Sequence, residues 1–364
     1  MEGGGLFQPV LDGVGDAPAH RAAGVNVMDG GAVQLPQGGE QSGGQRCRIG
    51  LVSVGQGVAV GVQGQFFVEA QHPVPRLEMP VYMATPLIFA SIGGAFSVRG
   101  GVMALGLESM MMCGAFCAVL GSYYTSSWPF GLLCGILGGM LIALFHAILS
   151  VRYRMNQVIS GIGLNLLATA ATTLLMQVIW KNKGTSELVA SIDKTIGGPI
   201  PIISGQSFNF FVMVAVAVIS WIVLFRTRYG LRLRMVGEQP KAASAVGLKV
   251  HGLKYSGVLI CGALAGYGGA FLSLDQLNMF VRGMTAGRGY IAVAIAILGR
   301  YNPGHIVPFA LLFGFCDALQ IYLQGQGVSA QLIQMLPYLM TLIVLAVGVK
   351  HIQPPAGVGK HETD

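Results

Sequence analysis

Residues 226–254 read RTRYGLRLRMVGEQPKAASAVGLKVHGLK. Seven of them are basic (Arg226, Arg228, Arg232, Arg234, Lys241, Lys249 and Lys254), and only Glu238 is acidic. The flanking stretches, 208–225 and 255–274, are strongly apolar. A short basic loop between two apolar runs is the mark of a loop on the cytoplasmic side of a membrane. Inside it, residues 239–245 (QPKAASA) are small and helix-permissive, with Pro240 near the start and Gly247 beyond the end. A helix that polar does not insert into a bilayer, and one that short does not fold alone. Its expected use is contact with another protein.

The composition agrees with a membrane setting. Of 364 residues, 53% are hydrophobic and 10% charged, with a mean hydropathy of +0.64. A soluble domain carries about 25% charged residues, so this chain cannot cover a water-facing surface. The net charge of +7 would suggest nucleic acid in a soluble protein. Here the basic residues gather in loops, which speaks for membrane orientation and against a nucleic-acid partner. Of the six cysteines, Cys113, Cys117, Cys134, Cys261 and Cys316 fall in apolar runs. No metal-ligand spacing joins them to histidine, so they read as packing residues, and neither metal nor cofactor is expected.

Residues 1–78 differ from the rest, being Gly-rich with scattered Pro and Gln. Their longest apolar stretch, 51–62, is shorter than the ~20 residues a span needs, and no signal-peptide pattern appears. They read as an extension that is disordered or not native, with Met79 a candidate start. From residue 80 onward, apolar runs predict an all-α polytopic bundle of about nine spans, with counts from eight to ten compatible. They lie near 81–98, 102–121, 130–150, 157–180, 208–225, 255–274, 289–298, 306–323 and 332–349. The seventh is short, as a broken or re-entrant segment would be. Nine spans put Arg152, Arg154, the 226–254 loop, Arg300 and a 351–364 tail in the cytoplasm, and the loop 181–207 outside. Arg-Gly precedes an apolar run at Arg99 and again at Arg288, an echo that inverted repeats would give.

Polar residues inside apolar runs are costly and mark function or helix packing. Glu108 could bind a hydroxyl of a solute or pair with Arg99, against a helix-packing role. Asn165 could bridge helices or bind a polyol, and Asp317 could line an aqueous pathway or join helices. In residues 275–288 (DQLNMFVRGMTAGR), Gln276, Asn278 and Phe280 combine carboxamides with a ring, as a sugar or nucleoside site does; the alternative is a solvated external loop. Gly135 with Gly139 and Gly262 with Gly266 form small-xxx-small pairs that let helices approach closely. The sequence holds no phosphate-binding loop pattern, so any ATP hydrolysis is expected on another subunit.

Four motifs in order, RGGVMALGLESMM (99–111), NQVISGIGLNLLA (156–168), GEQPKAASAVGLKV (237–250) and MTAGRGYIAVA (284–294), resemble the inner-membrane permeases of ABC importers for simple sugars and nucleosides. The resemblance spans roughly residues 80–350 and implies a transport subunit that is not itself an enzyme. It implies two permeases, identical or not, forming a pathway in the lipid bilayer, two ABC ATPases, and an extracytoplasmic binding protein. Gly237, Glu238, Pro240, Ala242, Ala243 and Gly247 would then form the ATPase-coupling helix and its flanks. The implied solute is a nucleoside or a monosaccharide such as ribose or galactose, and GLExMM with MTAGRGY looks more like the nucleoside branch. The rival reading is an ion-coupled secondary transporter, which needs membrane-buried carboxylates with basic partners.

Overall fold

The computed structural model describes residues 79–182, 184–190, 192 and 209–323, the backbone at 26–28, 32–34, 78, 208 and 324, and short pieces at 335, 339–342, 346 and 355–359. The chain divides into two compact units, Met1–Arg48 and Ile49–Asp364. The first contains an antiparallel hairpin of β1 (Asn26–Met28) and β2 (Ala32–Gln34), with Val27 opposite Val33.

The second unit is helical. It contains α1 (Glu78–Arg99), α2 (Leu107–Thr125), α3 (Trp128–Ala147) with a π-helical turn Ile148–Arg152, and α4 (Gln157–Trp180). After these come α5 (Phe208–Arg226), α6 (Arg228–Glu238), α7 (Pro240–Ala245) and α8 (Val250–Phe271), the last continued by a second π-helical turn Leu272–Gln276. The short α9 (Arg288–Leu298) and long α10 (Pro303–Gln324) complete it.

Six of these helices, α1, α3, α4, α5, α8 and α10, are long and apolar enough to cross a membrane. Six of the nine expected spans are thus present in this form among the described residues. The ninth expected span, 332–349, lies mostly outside them. The seventh is α9, whose 11 residues rise only about 16 Å, half of a ~30 Å hydrocarbon core. The second was expected from residue 102, but α2 starts at Leu107. Gly101 adopts a left-handed φ of 86°, and the chain then runs irregularly to Gly106 before turning helical.

α8 is the axis of the bundle and packs against α1, α2 and α3. Glycine makes this contact possible. A Cβ on Gly266 would stand 2.6 Å from the Gly135 carbonyl oxygen, and one on Gly139 would stand 2.6 Å from Gly266 Cα. The two small-xxx-small pairs therefore face each other, so that backbone packs on backbone and dispersion replaces the missing hydrophobic drive in lipid. On the opposite side Phe89 of α1 lies on Tyr267 of α8, ring centroids 4.4 Å apart.

The two ends of the bundle differ. At one end residues 184–190 and 192 lie along 274–282: Ser186 N donates to Phe280 O (2.9 Å), Val189 N to Asn278 O (2.9 Å) and Ile192 N to Leu274 O (3.3 Å). At the other end the Arg99 guanidinium, closing α1, donates to the carbonyls of Arg300 (3.0 Å) and Tyr301 (3.3 Å) beyond α9. α6 and α7 sit at this second end, beside Arg99 and Gly101.

Candidate functional site

Two places concentrate polar chemistry. The first is the α6–α7 elbow. Thr227 caps α6 by accepting from Gly230 N (3.2 Å). Leu233 and Val236 turn inward while Arg228 and Arg232 stay exposed. Gln239 breaks the helix in an extended conformation, φ −140° and ψ 89°, and Pro240 opens α7. Its preset φ and missing N–H suit the first turn. Gly247, at φ 80°, lies just past α7, where a side chain would be strained. The basic loop was read as holding one short helix; it builds two, joined at a sharp corner.

The inner face of α7 is Pro240 and Ala243, both buried, with Ala243 packed on Val236 and Val250. Ala242 is half-buried. Lys241, Ser244, Ala245, Val246 and Gly247 are exposed, and the space over Gly247 is open. Gly237 rests directly on the Arg99 carbonyl, so closely that a Cβ could not fit. Glu238 ends α6 and gives α7 no side-chain cap. Its carboxylate instead accepts from the backbone N–H of Ala356 (3.3 Å).

The second place is the interior break between α1 and α2. Residues 102–106 are largely buried yet not helical, so their backbone groups need partners from elsewhere. Gln157 Oε1 accepts from Met103 N (2.8 Å), and His146 Nε2 donates to Met103 O (3.0 Å) while its Nδ1 shares a hydrogen with Ser160 (3.1 Å). Asn165 Nδ2 donates to Leu105 O (3.2 Å), and its Oδ1 accepts from Ser109 N (3.0 Å).

Glu108 sits one residue into α2, facing the start of α9. Its carboxylate accepts from Thr285 Oγ1 (2.6 Å), Gly287 N (3.0 Å) and Gly289 N (2.7 Å). It therefore occupies the N–H groups and positive end of α9 from another helix. Gly289 is obligatory here, because a Cβ would stand 2.5 Å from the Glu108 backbone. Asn165 also donates to the Tyr290 hydroxyl oxygen (2.8 Å). Tyr290 itself is 49% exposed, on a helix otherwise largely covered. Arg288 pairs with Asp317 of α10 at 3.8 Å.

Of the residues expected on the pathway, Glu108 and Asn165 thus come together around the α2 and α9 starts, with Asp317 reached through Arg288. Gln276, Asn278 and Phe280 do not join them. Gln276 is buried against Met83 sulfur (3.9 Å), and Phe280 is fully buried with its ring edge-on to Phe116 (5.4 Å). Asn278 bends the chain at φ 54° where its carbonyl accepts from Val189 N. The sequence reading missed Tyr290, Gln157 and the role of His146. The signal for Tyr290 was present: a ring directly after Arg-Gly, at the start of an apolar run too short to span.

Comparison with known proteins agrees with this architecture. Residues 77–345 match the family described as branched-chain amino acid transport system / permease component. The nucleoside ABC transporter permease protein NupC of Lactococcus lactis is 38% identical over 75% of this chain and 92% of its own length. The guanosine ABC transporter permease protein NupQ of Bacillus subtilis is 33% identical over 76% and 92%. The putative glucose ABC transporter permease protein TsgC13 of Haloferax volcanii is 33% identical over 75% and 91%. With its buried glycine-packed bundle, six apolar helices and internal breaks, the chain belongs to this family of ABC transporter permeases, non-enzymatic multi-pass subunits of the plasma membrane.

Proposed function

We propose that the chain is the permease of an importer for a neutral, ring-bearing solute, in the first instance a nucleoside. The observation that carries the choice of solute is Glu108. Helix starts exposed in a transporter interior are ready anion sites. Here the start of α9 is already occupied by the chain's own carboxylate. A phosphorylated sugar, a nucleotide or an amino-acid carboxylate would meet Glu108 rather than free N–H groups. A neutral nucleoside or monosaccharide carries no such conflict. Tyr290 adds to this: its oxygen accepts from Asn165, which leaves its own proton to donate, and its half-exposed ring offers a stacking face. The relatives named for nucleosides and guanosine favour the nucleoside; the one named for glucose keeps a monosaccharide, ribose or galactose included, as the second reading.

In this reading α7 points into the cytoplasm and an ABC ATPase grips its exposed face, Lys241 to Gly247. A second permease, identical or not, completes the pathway, and a binding protein delivers solute at the end formed by residues 184–190 and 274–282. An ion-coupled mechanism fits poorly, because Glu108 is held by three hydrogen bonds and Asp317 by Arg288. The test is uptake into vesicles reconstituted with the permease, its ATPase and its binding protein. Excess unlabelled nucleoside should suppress ATP-dependent uptake of labelled nucleoside, and ribose, galactose or leucine should not. Competition by leucine alone would overturn the choice of solute.

A further inference from the structure

Residues 355–359 touch both α7 and the α1–α2 break. Gly357 N donates to Gly237 O (2.9 Å), Gly359 N to Gly101 O (3.3 Å), and Ala356 N to the Glu238 carboxylate (3.3 Å). Pro355 and Gly357 are buried. A Cβ on Gly357 would stand 2.6 Å from Gly237 O and 2.8 Å from Pro240 Cδ, so only glycine lets the turn lie this close. One on Gly101 would stand 3.5 Å from Gly357 O. The turn is thus held by backbone bonds on both sides, with one carboxylate added.

We infer that residues 355–359 are a positioning strap of the coupling element, binding the α6–α7 corner to the loop that starts α2. The strap matters because of what it connects. On one side is α7, six residues long, which cannot hold its own position. On the other is Gly101, which leads into Met103 and Leu105, whose backbone is held by Gln157, His146 and Asn165. Glu108 follows at once and grips the start of α9. Displacement of α7 by a partner is therefore carried through Gly237 and the strap into the α1–α2 loop, and from there to α9 and Tyr290. Without the strap, the corner still meets that loop through the packing of Gly237 on the backbone of Arg99 and Gly101, a contact that resists compression and does not pull. A tail that merely fills a surface gap would contribute to stability and leave transmission intact.

This inference rests on the importer reading, so the experiment separates the two. The full permease is reconstituted with its ATPase and binding protein, and ATP hydrolysis is measured with empty and with solute-loaded binding protein. Wild type should be stimulated by the loaded form; absence of stimulation in wild type overturns the importer reading and the strap with it. Gly357→Val should leave copurification of the ATPase and basal hydrolysis in place, and reduce stimulation about fivefold or more, the size of an ordinary coupling between two sites. Glu238→Ala should reduce it in part, and Glu238→Gln, which keeps an acceptor for Ala356 N, should restore it. A chain ending at Pro354 introduces no clash and decides the matter if Gly357→Val does not assemble. Full stimulation in the chain ending at Pro354, or in an assembled Gly357→Val, would overturn the strap.

Discussion

Glu108 and Gly289, 181 residues apart in sequence, are joined by a 2.7 Å hydrogen bond between a buried carboxylate and a backbone N–H. With Gly287 and Thr285 on the same carboxylate, this bond holds two helix starts, α2 and α9, against each other inside the bundle. Where lipid surrounds a protein, a helix can begin in the interior only if its free N–H groups find partners. Here the partner is a charge, which also complements the helix dipole.

Removal of that carboxylate should be felt in stability. Glu108→Ala leaves the N–H groups of Gly287 and Gly289 without acceptors, at about 1–3 kcal/mol for each buried group. Glu108→Gln retains one oxygen acceptor and should fall between. The expected outcome is a melting temperature in detergent ordered wild type, Gln, Ala, with the alanine variant several degrees below wild type. Equal melting of all three would show that the α9 start is satisfied in another way.

Tyr290 separates solute contact from scaffold. Tyr290→Phe keeps the ring and removes the hydroxyl, both its proton and the acceptor for Asn165, whose amide still donates to Leu105 O; uptake should show a KM raised about three- to tenfold, as expected of one hydrogen bond to the solute, with stimulated ATP hydrolysis at saturating solute unchanged. Tyr290→Ala should also raise KM for nucleosides more than for any monosaccharide that is carried, since it removes the stacking face. An unaltered KM in both variants would place Tyr290 outside the pathway.

Orientation is open to a labelling test. Leu188, 72% exposed, lies at the end expected outside, and Ser244 lies exposed on α7 at the other. In a variant free of native cysteines, a cysteine at position 188 should react with an impermeant thiol reagent in intact cells, and one at 244 only after permeabilisation. The opposite pattern would reverse the topology.

Some of this was legible in the sequence because the signals are local. Charge asymmetry, Pro240 and Gly247 mark α7 within a few residues, and Gly135, Gly139, Gly262 and Gly266 carry their packing role in their spacing. The late start of α2 was not legible. Residues 102–106, VMALG, are apolar and compatible with helix; what unwinds them are Gly101 and side chains from residues 146, 157 and 165, far along the chain. The same holds for Glu238, expected at the start of α7 and found on Ala356. A helix of six residues is too short for periodicity to show which face it buries, so nothing local distinguishes inward Ala243 from outward Ser244. Ser191, a natural labelling position in the expected outer loop, lies outside the described residues, as does most of 332–349.

The face of α7 provides the most direct test of the account. Ala243 is fully buried on Val236 and Val250, so a large residue there would disturb the chain itself. Ser244 points away from it, and surface substitutions of that kind ordinarily change stability by no more than ~0.5 kcal/mol. The measurement is ATP hydrolysis by the reconstituted complex of Ser244→Trp, with and without solute-loaded binding protein, alongside its melting temperature. The account predicts wild-type melting together with loss of stimulation and of uptake, because the partner can no longer seat on α7. Full stimulation by loaded binding protein in a Ser244→Trp complex that transports normally would contradict it.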